Sequence, residues 1–211
     1  MAELAKQLHI SRGITAIIGS GGKTTLMYTL AQKLSACGSV IVTTTTHICV
    51  PEHLPVTERT ERVNGIVCVG SLCGEGKLCA GKQSPQELAA LADFVLVEAD
   101  GSARRPIKAH AAHEPVIPEQ SRQVICVVGA SGLNRPIGEC VHRPEIFYAM
   151  TGSDFATPEA VAKVLKKENL ADRLVINQSE LQEAAARELA QQMQIPTLLT
   201  CLKRGEILCS Y

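Results

Sequence analysis

The chain has no tryptophan, and aromatic residues fill only 3% of its 211 positions. Proteins that hold single-stranded nucleic acid stack its bases on aromatic rings, so this composition argues against that role. Net charge is also missing: 21 Lys plus Arg balance 21 Asp plus Glu. No global field points toward DNA, RNA or an anionic membrane. No apolar run approaches the roughly 20 residues that a membrane span needs. Residues 1–8 mix charged and apolar side chains and lack the apolar core of a signal peptide. Together these absences predict a cytoplasmic protein with neither a membrane nor a nucleic acid as partner.

Cysteine is not scarce, with nine residues, but no CxxC pair occurs. An odd, dispersed set does not read as a disulfide framework. Cys68 and Cys126 lie in apolar, strand-like runs. The reading is a set of reduced, mostly buried thiols that pack as small hydrophobes. Cys68, Cys73 and Cys79 form the one local cluster, and their x4 and x5 spacing does not match a zinc knuckle.

What the chain does have is a series of short, largely apolar runs. Residues 14–18, 40–43, 94–97, 124–128, 174–176 and 196–200 read as strands. Between them, residues 24–37, 142–150, 157–167 and 180–193 have helical spacing, and Ser84-Pro85-Gln86-Glu87 opens another helix with a capping box. Residues 65–70 and 77–80 predict a short strand pair, a small β insertion at about 64–82. Continuous apolar strands alternating with amphipathic helices predict a doubly wound, mostly parallel α/β sheet with helices on both faces. A single domain over residues 1–211 is expected.

One loop carries chemistry. Gly19-Ser20-Gly21-Gly22-Lys23-Thr24-Thr25 lies between the first predicted strand and the helix that follows. A phosphate needs backbone N–H donors, close main-chain approach and a positive counter-charge. The glycines allow the approach, and the helix start supplies the donors and the dipole. Lys23 is expected to reach the β- and γ-phosphates, Thr24 to coordinate Mg²⁺, and Thr25 to support the loop. The full Walker A spacing needs glycine at position 17, where Ile17 stands. The spacing instead resembles the shorter loop of Mur-type ligases. The alternative is a glycine turn that binds nothing.

The strand at 94–97 ends in Glu98-Ala99-Asp100-Gly101. In a doubly wound sheet that end opens on the ligand crevice. Glu98 and Asp100 there are candidates to hold Mg²⁺ or to orient a water, and which of them is nearer the metal stays open. Thr43-Thr44-Thr45-Thr46 follows the second strand, and a hydroxyl such as that of Thr45 is a further candidate metal contact. Surface acids at a turn, and threonines that simply favour a strand end, are the plainer readings.

The loop, the threonine run and the block Val97-Glu98-Ala99-Asp100-Gly101-Ser102, with Pro106-Ile107-Lys108 and His113-Glu114-Pro115, resemble the YqeC family. The resemblance runs to about Glu180. It implies a P-loop NTPase-like, Rossmannoid fold binding ATP or GTP with Mg²⁺. It also implies an accessory role in maturation of a selenium-dependent molybdenum hydroxylase or its cofactor. His110 departs from the pattern, which has proline there. Lys108 falls within the block and is a candidate phosphate or oxyanion partner. Arg143 is a further candidate for a phosphate. His113 and Glu114 are candidates for a metal or for proton transfer. Asn177, at the end of an apolar strand, is a candidate contact to the base of the nucleotide, without implying guanine.

Three functions use these same residues. One is an NTP-driven maturation factor, in which hydrolysis is open. A second is a Mur-like ligase or kinase that transfers the γ-phosphate to a small molecule. A third is a non-catalytic carrier of a nucleotide-containing molybdenum cofactor.

Overall fold

A computed structural model describes residues 2–74 and 76–211. The chain forms two compact units, each drawn from three segments. The first comprises Met1–Ile17, Thr24–Gly101 and Val116–Val124; the second comprises Ile18–Lys23, Ser102–Pro115 and Ile125–Tyr211. The chain passes from one unit to the other within two of its strands, β1 (Gly13–Gly19) and β10 (Ser121–Gly129).

The first unit opens with helix α1 (Ala2–Gln7). Strand β1 leads to helix α2 (Lys23–Leu34) and strand β2 (Val40–Thr44). Short strands follow: β3 (Ile48–Cys49), β4 (Val56–Thr57), β5 (Ile66–Val69), β6 (Ser71–Leu72) and β7 (Lys77–Cys79). Helix α3 (Pro85–Ala89) then feeds β8 (Phe94–Glu98). Strand β8 pairs in parallel with residues 13–17 of β1 on one side and with β2 on the other. Strands β5 and β4 extend the parallel ladder beyond β2. Strands β2 and β8 are buried at every position: the apolar residues 40–42 and 94–97 suit a ladder interior, and Thr43, Thr44 and Glu98 at the strand ends are buried with hydrogen-bond partners.

Ile14, Ile41, Val95 and Val97 pack with Leu88 of α3 into one core cluster. Helix α3 starts as its sequence predicts. Ser84 accepts from the Glu87 N–H, the Glu87 carboxylate accepts from the Ser84 N–H, and Pro85 opens the first turn.

The predicted pairing of 65–70 with 77–80 is corrected. Strand β5 joins the parallel ladder between β2 and β4. Strand β7 instead pairs antiparallel with β3 and β6 in a separate three-stranded sheet. The sequence Ile-Val-Cys-Val suits a ladder interior. In β7 a single buried Leu78 sits between more exposed neighbours, which suits a sheet with one covered face.

In the second unit, strand β9 (Ile107–Lys108) precedes residues 125–129 of β10. Helix α4 (Ile137–Cys140), strand β11 (Val141–His142), and helices α5 (Pro144–Thr151) and α6 (Pro158–Glu168) come next. Strand β12 (Arg173–Asn177), helix α7 (Glu183–Gln192), β13 (Thr197–Cys201) and β14 (Glu206–Ser210) complete it. Strands β10, β12 and β13 are parallel, and β14 returns antiparallel on β13.

Strand β14 is absent from the expected pattern; its apolar run is only Ile207-Leu208-Cys209 between polar ends, and no residue of the strand is fully buried. The helix expected from residue 142 begins instead at Pro144. His142 pairs with Lys108 in a short parallel bridge of β9 and β11, and Arg143 has a left-handed φ of 66° that no helix interior accepts.

Both units are α/β, built on mostly parallel strands, in agreement with the predicted fold class. Among the described residues no helix is long and apolar enough to cross a membrane.

All nine cysteines are free, but the expectation that most are buried needs correction. Cys68, Cys126, Cys140 and Cys201 are buried, Cys79 and Cys209 half-buried, and Cys37, Cys49 and Cys73 exposed. The exposed ones sit at a helix end and in the small three-stranded sheet, outside the apolar strand interiors. Burial pushes the Cys68 thiol up to about 12, which keeps it protonated and unreactive.

Candidate functional site

The glycine loop leaves β1 with three residues at positive φ: Gly19 at 86°, Gly21 at 81° and Gly22 at 136°. A Cβ on Gly21 would stand 2.3 Å from the Gly129 nitrogen. One on Gly19 would stand 2.3 Å from the Val127 carbonyl oxygen, and one on Gly22 2.4 Å from the Asn177 amide nitrogen. No side chain fits these gaps, so glycine is required by internal packing whatever the loop binds. The specificity of the loop for a ligand therefore rests on its polar residues.

Those residues are tightly held. The Ser20 N–H donates to the Val127 carbonyl at 2.7 Å, and its hydroxyl donates to the Arg105 carbonyl. Lys23 is 4% exposed, with its ammonium donating to the Gly19 carbonyl at 2.8 Å and to the Ser102 hydroxyl at 3.2 Å. A buried ammonium is thus folded against the mouth of its own loop. Thr25, two residues further along α2, is exposed and shares none of this burial.

Asn177 ends β12, in register with Gly129 of β10 and Thr200 of β13. Its amide N–H donates to the Gly21 carbonyl at 2.8 Å, and its amide oxygen accepts from the Leu202 N–H at 3.0 Å. Both ends of the amide hold backbone, so here the residue clamps the loop. Nothing in its sequence position announced that role. Ser102 was missed as a partner of Lys23, although it sits in the same acidic block. Gly129 was also missed, and its N–H donates to the Pro106 carbonyl at 2.8 Å.

Lys108 lies further along this unit with its side chain fully buried, 3.2 Å from the Glu114 carboxylate. Arg143 donates to the same carboxylate at 2.9 Å. Burial alone would raise the Glu114 pKa. The hydrogen bonds and charges of Arg143 and Lys108 outweigh it and hold Glu114 at about 2. Glu114, Lys108 and Arg143 thus form one ion-paired cluster. His110 departs from the expected proline, and its ring and backbone N–H both meet the Glu168 carboxylate, at 2.8 and 2.7 Å.

In the other unit, the acidic strand end is set by register. Glu98 closes β8 opposite Ile17 of β1 and opposite Thr44 of β2. Its carboxylate accepts from the Thr24 hydroxyl at 2.7 Å. Its backbone carbonyl accepts from the Thr44 hydroxyl at 2.8 Å and the Thr45 N–H at 3.1 Å. The Thr45 hydroxyl donates to the Val116 carbonyl at 2.9 Å. Asp100 follows, 2% exposed. Thr24, Thr44, Thr45 and Glu98 thereby form one connected oxygen-rich network.

These groups offer hard oxygen donors. Among the described residues no cluster of three or more His, Cys, Asp or Glu side chains is arranged for a metal. That donor set fits Mg²⁺ better than zinc. Mg²⁺ takes one or two protein oxygens and completes its shell with water and phosphate.

The fold and these residues define an α/β protein with a glycine-rich loop between the first core strand and its helix, and a carboxylate at a neighbouring strand end. Residues 15–145 match the sequence profile of the family described as YqeC protein, and the chain belongs to that family. It is 36% identical over 169 residues to a protein of Escherichia coli (strain K12) called uncharacterized protein YqeC. The match covers 72% of this chain and 64% of that relative. No solved structure matches.

Proposed function

We propose that this chain binds a nucleoside triphosphate, ATP or GTP, together with Mg²⁺ through the loop from Gly19 to Thr25. The observation that carries the reading is the 2.7 Å bond between the Thr24 hydroxyl and the Glu98 carboxylate. A hydroxyl at a helix start, paired to a carboxylate at a strand end, is the protein half of a Mg²⁺–phosphate site. Lys23, the preceding residue, contributes the cation for the β- and γ-phosphates. With ligand bound, the Lys23 ammonium would be the cation available to a phosphate oxygen, and the Thr24 hydroxyl and Glu98 carboxylate would be the oxygens available to the metal. Asp100 and Thr45 supply further oxygens by direct or water-bridged contact. Asn177 holds the loop in shape, and any contact of this residue to a base comes second to that role.

Membership of the YqeC family supports an accessory role. We infer that the nucleotide serves maturation of a selenium-dependent molybdenum hydroxylase or its cofactor. Lys108 belongs to this reading as a phosphate or oxyanion partner once released from Glu114. The Ile17 departure from Walker A spacing keeps a second reading in view, a Mur-like kinase or ligase acting on a small molecule.

The test is thermal shift with ATP, GTP and a molybdopterin nucleotide, each with and without Mg²⁺, on wild type and Lys23→Ala. A ligand at 100 times its Kd stabilises by about 2.7 kcal/mol. A Mg²⁺-dependent rise that Lys23→Ala abolishes supports the reading. The absence of any shift with every ligand overturns it. Formation of ADP only when an acceptor is added would favour the kinase or ligase.

A further inference from the structure

The small three-stranded sheet brings together two thiols that are not among the candidate nucleotide-site residues. In β6 and β7, Ser71 pairs with Cys79 and Leu72 with Leu78. In β3 and β7, Ile48 pairs with Leu78 and Cys49 with Lys77. Side chains alternate between faces along a strand. The row of Ile48, Leu78 and Leu72 therefore lies on one face. Cys49, Lys77, Cys79 and Ser71 lie on the other.

Cys73 continues β6 onto that second face, its N–H donating to the Lys77 carbonyl at 3.1 Å. It stands diagonally across the hairpin from Cys79, on the same face of the sheet. Cys73 is exposed and Cys79 is half-buried, its thiol also donating to the Ser71 carbonyl at 3.5 Å.

We propose that Cys73 and Cys79 are a redox-active dithiol that exchanges with low-molecular-weight disulfides. Exposed Cys73 is the attacking sulfur and sheltered Cys79 the resolving one. Cys73 loses its proton and attacks one sulfur of the small disulfide. That S–S bond breaks, and the first small thiolate leaves and takes up a proton. Cys79 then attacks the Cys73 sulfur of the mixed disulfide, and the second small thiolate leaves. Two protein thiols are oxidised, and one small disulfide is reduced to two thiols.

Three observations favour this chemistry over a metal. Among the described residues no third His, Cys, Asp or Glu completes a metal cluster here. The second thiol is on the same face of the same hairpin, one diagonal step away, so the resolving step is intramolecular. Gly74 and Gly76 flank the hairpin turn at positive φ with open space around them, so Cys73 can adjust to disulfide geometry without a clash.

Trypsin cuts after Lys77, between the two cysteines, which makes the bond visible. The whole protein is equilibrated in glutathione buffers from fully reduced to fully oxidised, alkylated, digested and analysed by mass spectrometry. The expected product joins peptide 63–77 to peptide 78–82. It forms at a defined glutathione ratio and is reversed by dithiothreitol. The denatured oxidised protein then titrates two thiols fewer than the nine of the reduced chain. Cys73→Ser and Cys79→Ser each abolish the linked peptide, and Cys49→Ser leaves it.

Four outcomes overturn the proposal. One is no linked peptide at any ratio. A second is a linked peptide that persists in Cys73→Ser, which would assign it to Cys68. A third is an equal yield of links to Cys49. The last is a dithiol that stays reduced while it takes up one equivalent of zinc.

Discussion

Removing the Asn177 side chain tests how the glycine loop is held. Its amide makes two hydrogen bonds to backbone, to the Gly21 carbonyl and from the Leu202 N–H, and the residue is 5% exposed. Asn177→Ala strands two polar backbone groups where water enters poorly. Each stranded group costs roughly 1–3 kcal/mol, so the variant loses about 2–6 kcal/mol. For a chain of this size that lowers the melting temperature by roughly 4–24 °C.

Asn177→Asp separates the two bonds. Its carboxylate still accepts from Leu202 but presents an oxygen to the Gly21 carbonyl at the 2.8 Å spacing of the present bond. Protonation restores the donor, so the aspartate pKa is raised in the folded state. The sign follows: Asn177→Asp approaches wild-type stability below the unfolded pKa of about 3.9 and falls away as pH rises through its folded pKa. The assay is chemical denaturation from pH 4 to pH 8 for wild type and both variants. A loss below about 0.5 kcal/mol for Asn177→Ala would refute the clamp, as would an Asn177→Asp penalty that does not change with pH.

Glu114 carries a second pH signature. Its folded pKa of about 2 lies below the unfolded value, so its contribution is complete above about 4.3 and is lost as pH falls toward 2. Wild type should lose on the order of 3 kcal/mol through this carboxyl across that window. Glu114→Gln should start less stable and show a flatter acid limb in denaturation at stepped pH. Leu88→Ala should cost about 2–5 kcal/mol, because the side chain is fully buried in the core cluster under β8. A midpoint in urea within error of wild type would contradict that packing.

Much of this architecture is local and was legible in the chain. Apolar runs bury themselves, so the positions of β1, β2, β8, β10, β12 and β13 follow from hydrophobicity alone. The Ser84 capping box and the Thr157 cap of α6 involve bonds between residues three apart, and short-range chemistry can be read directly. The loop at Gly19 to Thr25 was legible for the same reason, as a pattern on consecutive residues between a strand and a helix.

Other features were not legible because they are long-range. Strand β8 inserts between β1 and β2, and only that order brings Glu98 to Thr24, 74 residues away. Asn177 reaches Gly21 across 156 residues, which makes it a clamp on the loop. Gly19 and Gly21 look like ligand glycines in sequence, yet backbone packing against Val127 and Gly129 already requires them. Strand β14 forms on an edge prepared by β13, and β7 pairs with β3 and β6 rather than with β5. Sequence by itself determined which segments bury themselves and which residues carry charge and hydroxyls. Tertiary structure alone decided which of those groups meet, because strand order and pairing depend on competition among all strands for the same ladder hydrogen bonds.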